Sequence, residues 1–146
     1  MEQNNKTLLI AVVIILLALV AFNFNKISGR AVGDGSDVSV VVSPSVVTFS
    51  GDETAKQITV TVDTGSVGVD NELGVYSVEN GNTYRVGSGL TDKLCGTKSQ
   101  CTGVISKQML IPASIDSGNY LVRVERDNPS YNFKVDSNIF RVNHVG

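Results

Sequence analysis

At 146 residues the chain has room for one domain plus a leader, and a formal net charge of −2 offers no basic surface for nucleic acid. There is no Trp and a single His, His144, close to the C-terminus, so a His-based triad would have to use a residue at a chain end, where mobility concentrates. The sequence contains no phosphate loop, metal-ligand cluster or nucleophile–base pair. No catalytic residue, cofactor or metal is therefore assigned, and no enzyme is expected.

The first element is an unbroken apolar run from Leu8 to Phe22. With Thr7, Asn23 and Phe24 it would form about 27 Å of helix, close to a hydrocarbon core of about 30 Å. A retained signal-anchor over residues 1–24 is favoured over a cleaved leader, for which Gly29-Arg30-Ala31 fits the small-x-small pattern only loosely. Residues 25–37 (NKISGRAVGDGSD) have the composition of a flexible linker. The charges flanking the run are nearly neutral for orientation. Export of the C-terminal part is inferred from the cysteines downstream.

From residue 38 to 146 the texture changes to short runs of Val, Ile, Thr, Tyr and Phe between turn residues, the pattern of an all-β domain. Val38, Val40 and Val42 alternate with Ser39 and Ser43 until Pro44 breaks the run, and Val46 to Phe49 resumes it. Ile58, Val60 and Val62 alternate along the next strand. That strand ends in Asp63-Thr64-Gly65-Ser66, the spelling of an aspartic-protease turn. A single such loop without its supporting elements reads as an ordinary polar turn. Asp70-Asn71-Glu72 and Asp52-Glu53 read as solvated loop charge, since no spaced array of oxygen ligands for calcium is present. Leu73–Val78 and Thr83–Val86 flank Asn80-Gly81, a hairpin turn signal.

Cys95 and Cys101 are the only two cysteines and bracket Gly96, Thr97, Lys98, Ser99 and Gln100. In an oxidising compartment they would close a short loop. Two free thiols are the alternative, and half of a metal site is disfavoured for want of further ligands nearby. Val104–Ile111 makes another strand whose two faces are hard to tell apart. In the last hairpin Tyr120, Val122 and Val124 are expected inward, with Leu121, Arg123 and Glu125 outward and exposed. Asp127 to Ser130 turns the chain. Tyr131, Phe133 and Val135 then face the core, and Phe140 and Val142 take over the inward phase, which requires a bulge near Asp136-Ser137-Asn138. About seven or eight strands in this length fit a two-sheet sandwich.

Asp116-Ser117-Gly118-Asn119-Tyr120-Leu121-Val122 resembles the D-x-G-x-Y-x-C motif of immunoglobulin-type domains. The resemblance implies a structural corner at Asp116, Gly118 and Tyr120, with the Tyr120 hydroxyl bonded to upstream backbone. Val122 stands where the family carries its second core cysteine. The stretch from Ile111 to Ser130 is similar to immunoglobulin-like or fibronectin-III-like modules of microbial cell-surface proteins. The leader with Ile27 to Ala31 resembles the starts of small archaeal surface proteins.

The expectation is thus a single-pass membrane protein. Its N-terminal helix contacts membrane lipid, and its extracellular immunoglobulin-like sandwich serves binding, adhesion or spacing. A protein or glycan at the cell surface is the expected partner, met by the loop over 96–100. The other reading is a pilin-like filament subunit whose N-terminal helix packs into a shaft.

Overall fold

The structure is a computed structural model that describes the backbone of Gly29–Arg30 and residues 37–87 and 90–146. Among these residues every regular element is a β-strand. No helix among them is long and apolar enough to cross a membrane; the apolar run over 8–22 and most of the segment over 25–36 lie outside the described residues.

The strands are β1 (Gly29–Arg30), β2 (Ser39–Ser43), β3 (Val46–Ser50), β4 (Ala55–Asp63), β5 (Val69–Asp70), β6 (Leu73–Glu79) and β7 (Asn82–Arg85). They continue as β8 (Thr91–Asp92), β9 (Gln100–Cys101), β10 (Val104–Pro112), β11 (Gly118–Asp127), β12 (Asn132–Asp136) and β13 (Phe140–Val145). One sheet has the order β1-β2-β4-β10. The other has the order β3-β13-β11-β6-β7, with β12 also beside β11 and β8 beside β6. A small third sheet pairs β5 with β9. All pairings are antiparallel except β13 with β3.

Alternation builds the interior. Val40 and Val42 of β2, Ile58, Val60 and Val62 of β4, and Met109 and Ile111 of β10 are buried from one layer. Phe49, Val75, Tyr120, Val122, Val124, Val135, Phe140 and Val142 are buried from the other, in the same apolar cluster. β-Branched side chains suit this role because their restricted χ1 fits a pleated surface.

The strand number exceeds the expected seven or eight because four strands, β1, β5, β8 and β9, have only two residues each and because two long strands are each interrupted. β2 and β3 are parted at Pro44, which has no N–H to continue the ladder, and there the chain passes from one sheet to the other. β12 and β13 are parted where residues 137–139 lie opposite only residues 121–122 of β11. This is the extra residue that the change of inward phase requires. Ser137 is fixed there, its N–H donating to the Val122 carbonyl at 2.8 Å and its hydroxyl accepting the Val122 N–H at 2.9 Å. The turn between β6 and β7 has φ 51° at Asn80 and φ 79° at Gly81, the doubly left-handed form that twists with its flanking strands.

Three sequence expectations need correction. Leu121 faces away from the main core but is only 6% exposed. Its strand is internal to the sheet, its cross-strand neighbour is Tyr76, and the Arg123 guanidinium lies 4.3 Å over that ring. Tyr131 is exposed, because it belongs to the turn before β12: the Asn128 side-chain oxygen accepts N–H bonds from Ser130 and Tyr131 at 2.8 and 2.7 Å. His144 does not lie in an irregular tail. It sits in β13, stacks on Phe49 with 5.3 Å between ring centroids, and places Nε2 2.7 Å from the Ile115 carbonyl oxygen.

A chain beginning at Asp37 is expected to unfold cooperatively in urea, since the buried core starts at Val38. One beginning at Ser45 loses Val38, Val40 and Val42. At about 1.5–3 kcal/mol per buried valine, that approaches the whole stability of a small domain, and no cooperative transition is expected.

Candidate functional site

The segment between β7 and β10 carries the two cysteines. Val69 pairs with Cys101 and Asp70 with Gln100, laying the end of this segment against the connection between β4 and β6. A disulfide joins Cys95 to Cys101, with the Cα atoms 5.8 Å apart. Cys101 is wholly buried and Cys95 partly so, whereas Gly96, Thr97, Lys98, Ser99 and Gln100 are exposed.

The loop is organised from inside by Asn71, which is 5% exposed. Its side-chain NH2 donates to the carbonyls of Gly96 at 2.9 Å and Lys98 at 2.6 Å, and its side-chain oxygen accepts the Cys95 N–H at 2.8 Å. Its backbone N–H donates to the Ser99 carbonyl at 3.2 Å. One amide thus satisfies backbone groups that a short loop cannot pair with itself. The loop carbonyls turn inward and the side chains of Thr97, Lys98, Ser99 and Gln100 remain outside.

The neighbours of Asn71 are also engaged. Asp70 accepts the Asp127 N–H at 3.0 Å, and Glu72 pairs with Arg85 at 2.6 Å. That bond to Glu72 raises the Arg85 pKa above its ordinary value. Arg123 is held by Asp136 through two parallel bonds, the Nη2–Oδ2 one at 3.0 Å, and this pairing raises its pKa likewise. Between these groups lies a groove of about 180 Å³ lined by Asp70, Glu72, Tyr76, Arg85, Arg123 and Glu125. It adjoins the disulfide loop through Asp70, the cross-strand partner of Gln100. Two cations, three carboxylates and one aromatic face suit a polar partner held by hydrogen bonds. Among the described residues no group of three or more His, Cys, Asp or Glu is placed to hold a metal ion.

The corner residues lie at the start of β11. The Tyr120 hydroxyl donates to the Asp116 carbonyl at 2.7 Å, and its ring is 5.9 Å from that of Phe140. Gly118 opens the strand opposite Val142, while Asp116 is exposed. Burial raises the Tyr120 pKa, and the negative charge of Asp116 adds to it. In the Asp63 to Ser66 turn, the Asp63 carboxylate accepts the Gly65 N–H at 3.1 Å. Thr64 is fully buried there, its hydroxyl accepting the Gly103 N–H at 2.7 Å just before β10.

Sequence reasoning missed Asn71, Thr64 and Asn138, whose partners lie far along the chain. The Asn138 amide bonds both the N–H and the carbonyl of Val42, at 2.8 and 3.1 Å, 96 residues away. Arg126 was missed despite a signal, since it continues the inward phase of Tyr120, Val122 and Val124. It is 8% exposed, and its Nε and one terminal nitrogen have no hydrogen-bond partner among the described residues. The chain matches no family model and no curated protein sequence.

Asn71→Ala strips the loop of three side-chain bonds and is expected to cost about 2–3 kcal/mol. Reducing the disulfide is expected to cost about 2 kcal/mol. The two changes act on one loop, so a double-mutant cycle read by urea melts should come out less than additive. Tyr120→Phe leaves the Asp116 carbonyl without its partner and should cost about 1–3 kcal/mol. Leu121→Ala should cost about 2 kcal/mol, instead of the near-neutral effect of an exposed site. A raised tyrosine pKa stabilises the fold below the unfolded value near 10 and is lost as pH rises through the folded value. Tyr120→Phe should accordingly blunt the loss of stability above about pH 10. Arg126→Met is expected to leave stability unchanged or raise it by about 1–3 kcal/mol, because it removes unpaired buried donors.

Proposed function

We propose that this chain is a non-catalytic surface protein, anchored by the apolar run over 8–22 and carrying an immunoglobulin-like sandwich outside the membrane. For the fold, support comes from strand order. The succession β2-β4-β10 facing β13-β11-β6-β7 follows the A-B-E and G-F-C-C′ arrangement of immunoglobulin domains. The Tyr120 bond at the start of β11 stands where that fold places its corner. For the activity, the observation that carries the reading is the loop fixed by Asn71 and the disulfide. Its ordered backbone presents Thr97, Lys98, Ser99 and Gln100 beside the charged groove, so little conformational entropy is lost when a partner binds. A protein or glycan of the envelope is the partner class this polar surface fits.

Two measurements test the proposal. Full-length chain is expected in the membrane fraction with its native mass, and protease added to intact cells should release the β-domain by cutting within 25–36. Loss of about six N-terminal residues would instead indicate pilin-type processing, and loss of about thirty a secreted protein. Lys98→Glu combined with Gln100→Ala should weaken binding to isolated envelope at least tenfold, with the urea midpoint unchanged. Undiminished binding would remove the loop from the site.

A further inference from the structure

β10 is a nine-residue strand paired only to β4 among the described residues, so one of its edges is open. The other open edges of the two large sheets are shorter, none longer than the five residues of β3 and of β12. β10 also carries Val104 and Leu110, 70% and 63% exposed. Both lie on the outward face, alternating with Ile105, Lys107, Met109 and Ile111, whose register partners on β4 belong to the buried side. The surrounding outward face holds Gln57, Thr59, Thr61, Ser106 and Gln108, tied by a Gln57–Gln108 bond of 2.7 Å and a Thr61–Ser106 bond of 3.0 Å. None of these residues is charged.

The sequence of this edge reads the same chemically in both directions. Around Lys107, Ser106 mirrors Gln108, Ile105 mirrors Met109, and Val104 mirrors Leu110. We propose that β10 is a homotypic interface, pairing antiparallel with β10 of a second copy about a two-fold axis at Lys107. The two sheets then join into one of twice the width. Such an axis, perpendicular to the sheet, sets outward positions opposite outward ones. Only registers centred on a residue qualify. Centring on Lys107 sets Val104 against Leu110 and covers the two exposed apolar side chains with each other. Centring on Ser106 sets Val104 against Gln108 and Ile105 against Lys107. Centring on Gln108 sets Ser106 against Leu110 and Lys107 against Met109. Each neighbouring register thus opposes polar to apolar side chains, whereas the register centred on Lys107 sets like against like throughout, the two lysines facing each other included.

A second copy is the favoured occupant because the match is of this strand with itself. In the pair, each Lys107 brings its own counter-charge, Asp92 at 3.7 Å. The residues 37–146 carry nine Lys and Arg against twelve Asp and Glu, so two copies repel in general. The uncharged face beside β10 is where they approach at least cost.

The test uses full-length chains in detergent under mild oxidation. A Ser106→Cys chain mixed with a Gln108→Cys chain should form a covalent dimer, at least tenfold more than either alone. Adding Val104→Lys and Leu110→Lys to both should lower that yield at least tenfold. At protein concentrations too low for the pair to form, the melting temperature should not change, because both positions are exposed in a single copy. No dimer, equal dimer in the single-variant samples, or a yield indifferent to the lysines would each overturn the proposal.

Discussion

Two valine-rich strand faces, closed on each other with no covalent tie between them, are the constraint from which the remaining features follow. Val60 of β4 and Val122 of β11 are wholly buried in one cluster, in sheets that share no disulfide among the described residues. Cohesion between the layers therefore comes from apolar burial, at about 1.5–3 kcal/mol for each large side chain. It also comes from shape, because β-branched side chains leave few alternative packings. A core of this kind tolerates little polarity, which makes Arg126 the anomaly of the inward face.

Where the ladders end, polar side chains take over the work of peptide groups. Asn138 offers Val42 a donor and an acceptor, as a neighbouring strand would, at the place where β2 is about to leave its sheet. Thr64 does this for Gly103 before β10, and Asn71 for three groups of the disulfide loop. Each sits where backbone would otherwise be buried without partners. These three connections are thereby tied to the strands beside them. The disulfide lies in one of these regions and secures a connection, leaving the joining of the layers to the core.

The long strands were legible because each buries one face, and period-two alternation is the direct imprint of that burial. The bulge near Ser137 was legible as a change of phase from Val135 to Phe140, and the hairpin as Asn80-Gly81. β10 was ambiguous because apolar residues occupy both of its faces and a lysine points inward. The two-residue pairs β5–β9 and β8–β6 are too short to carry any period. Of the candidate site, the cysteines and their loop could be read, since spacing alone brings them together. Asn71 could not, because its role depends on a contact about 25 residues away that leaves no local trace. Leu121 was misjudged on similar grounds: alternation tells which face a residue is on, but not whether that face has its own cover.

The direction of the strands adds a constraint on what the site can meet. β11 runs from Gly118, two residues before Tyr120, to Asp127, whose N–H bonds Asp70 beside the disulfide loop. At about 3.3 Å per residue, Tyr120 and Asp127 are about 23 Å apart. Asp37, just before β2, lies against Gly65, where an added Cβ would come within 3.1 Å of its backbone. Gly65 is in the connection that also holds Asn71, so the start of β2 and the disulfide loop share one end. β13 runs the other way and brings His144 beside Ser117, at the corner end. β1 runs antiparallel to β2, with Gly29 opposite Val40 and Arg30 opposite Ser39, so its direction is toward that same end. The loop and its groove thus lie at one end of the strands, and the corner and His144 at the other. The flanks of the molecule, where β10 lies, stay open to copies standing alongside.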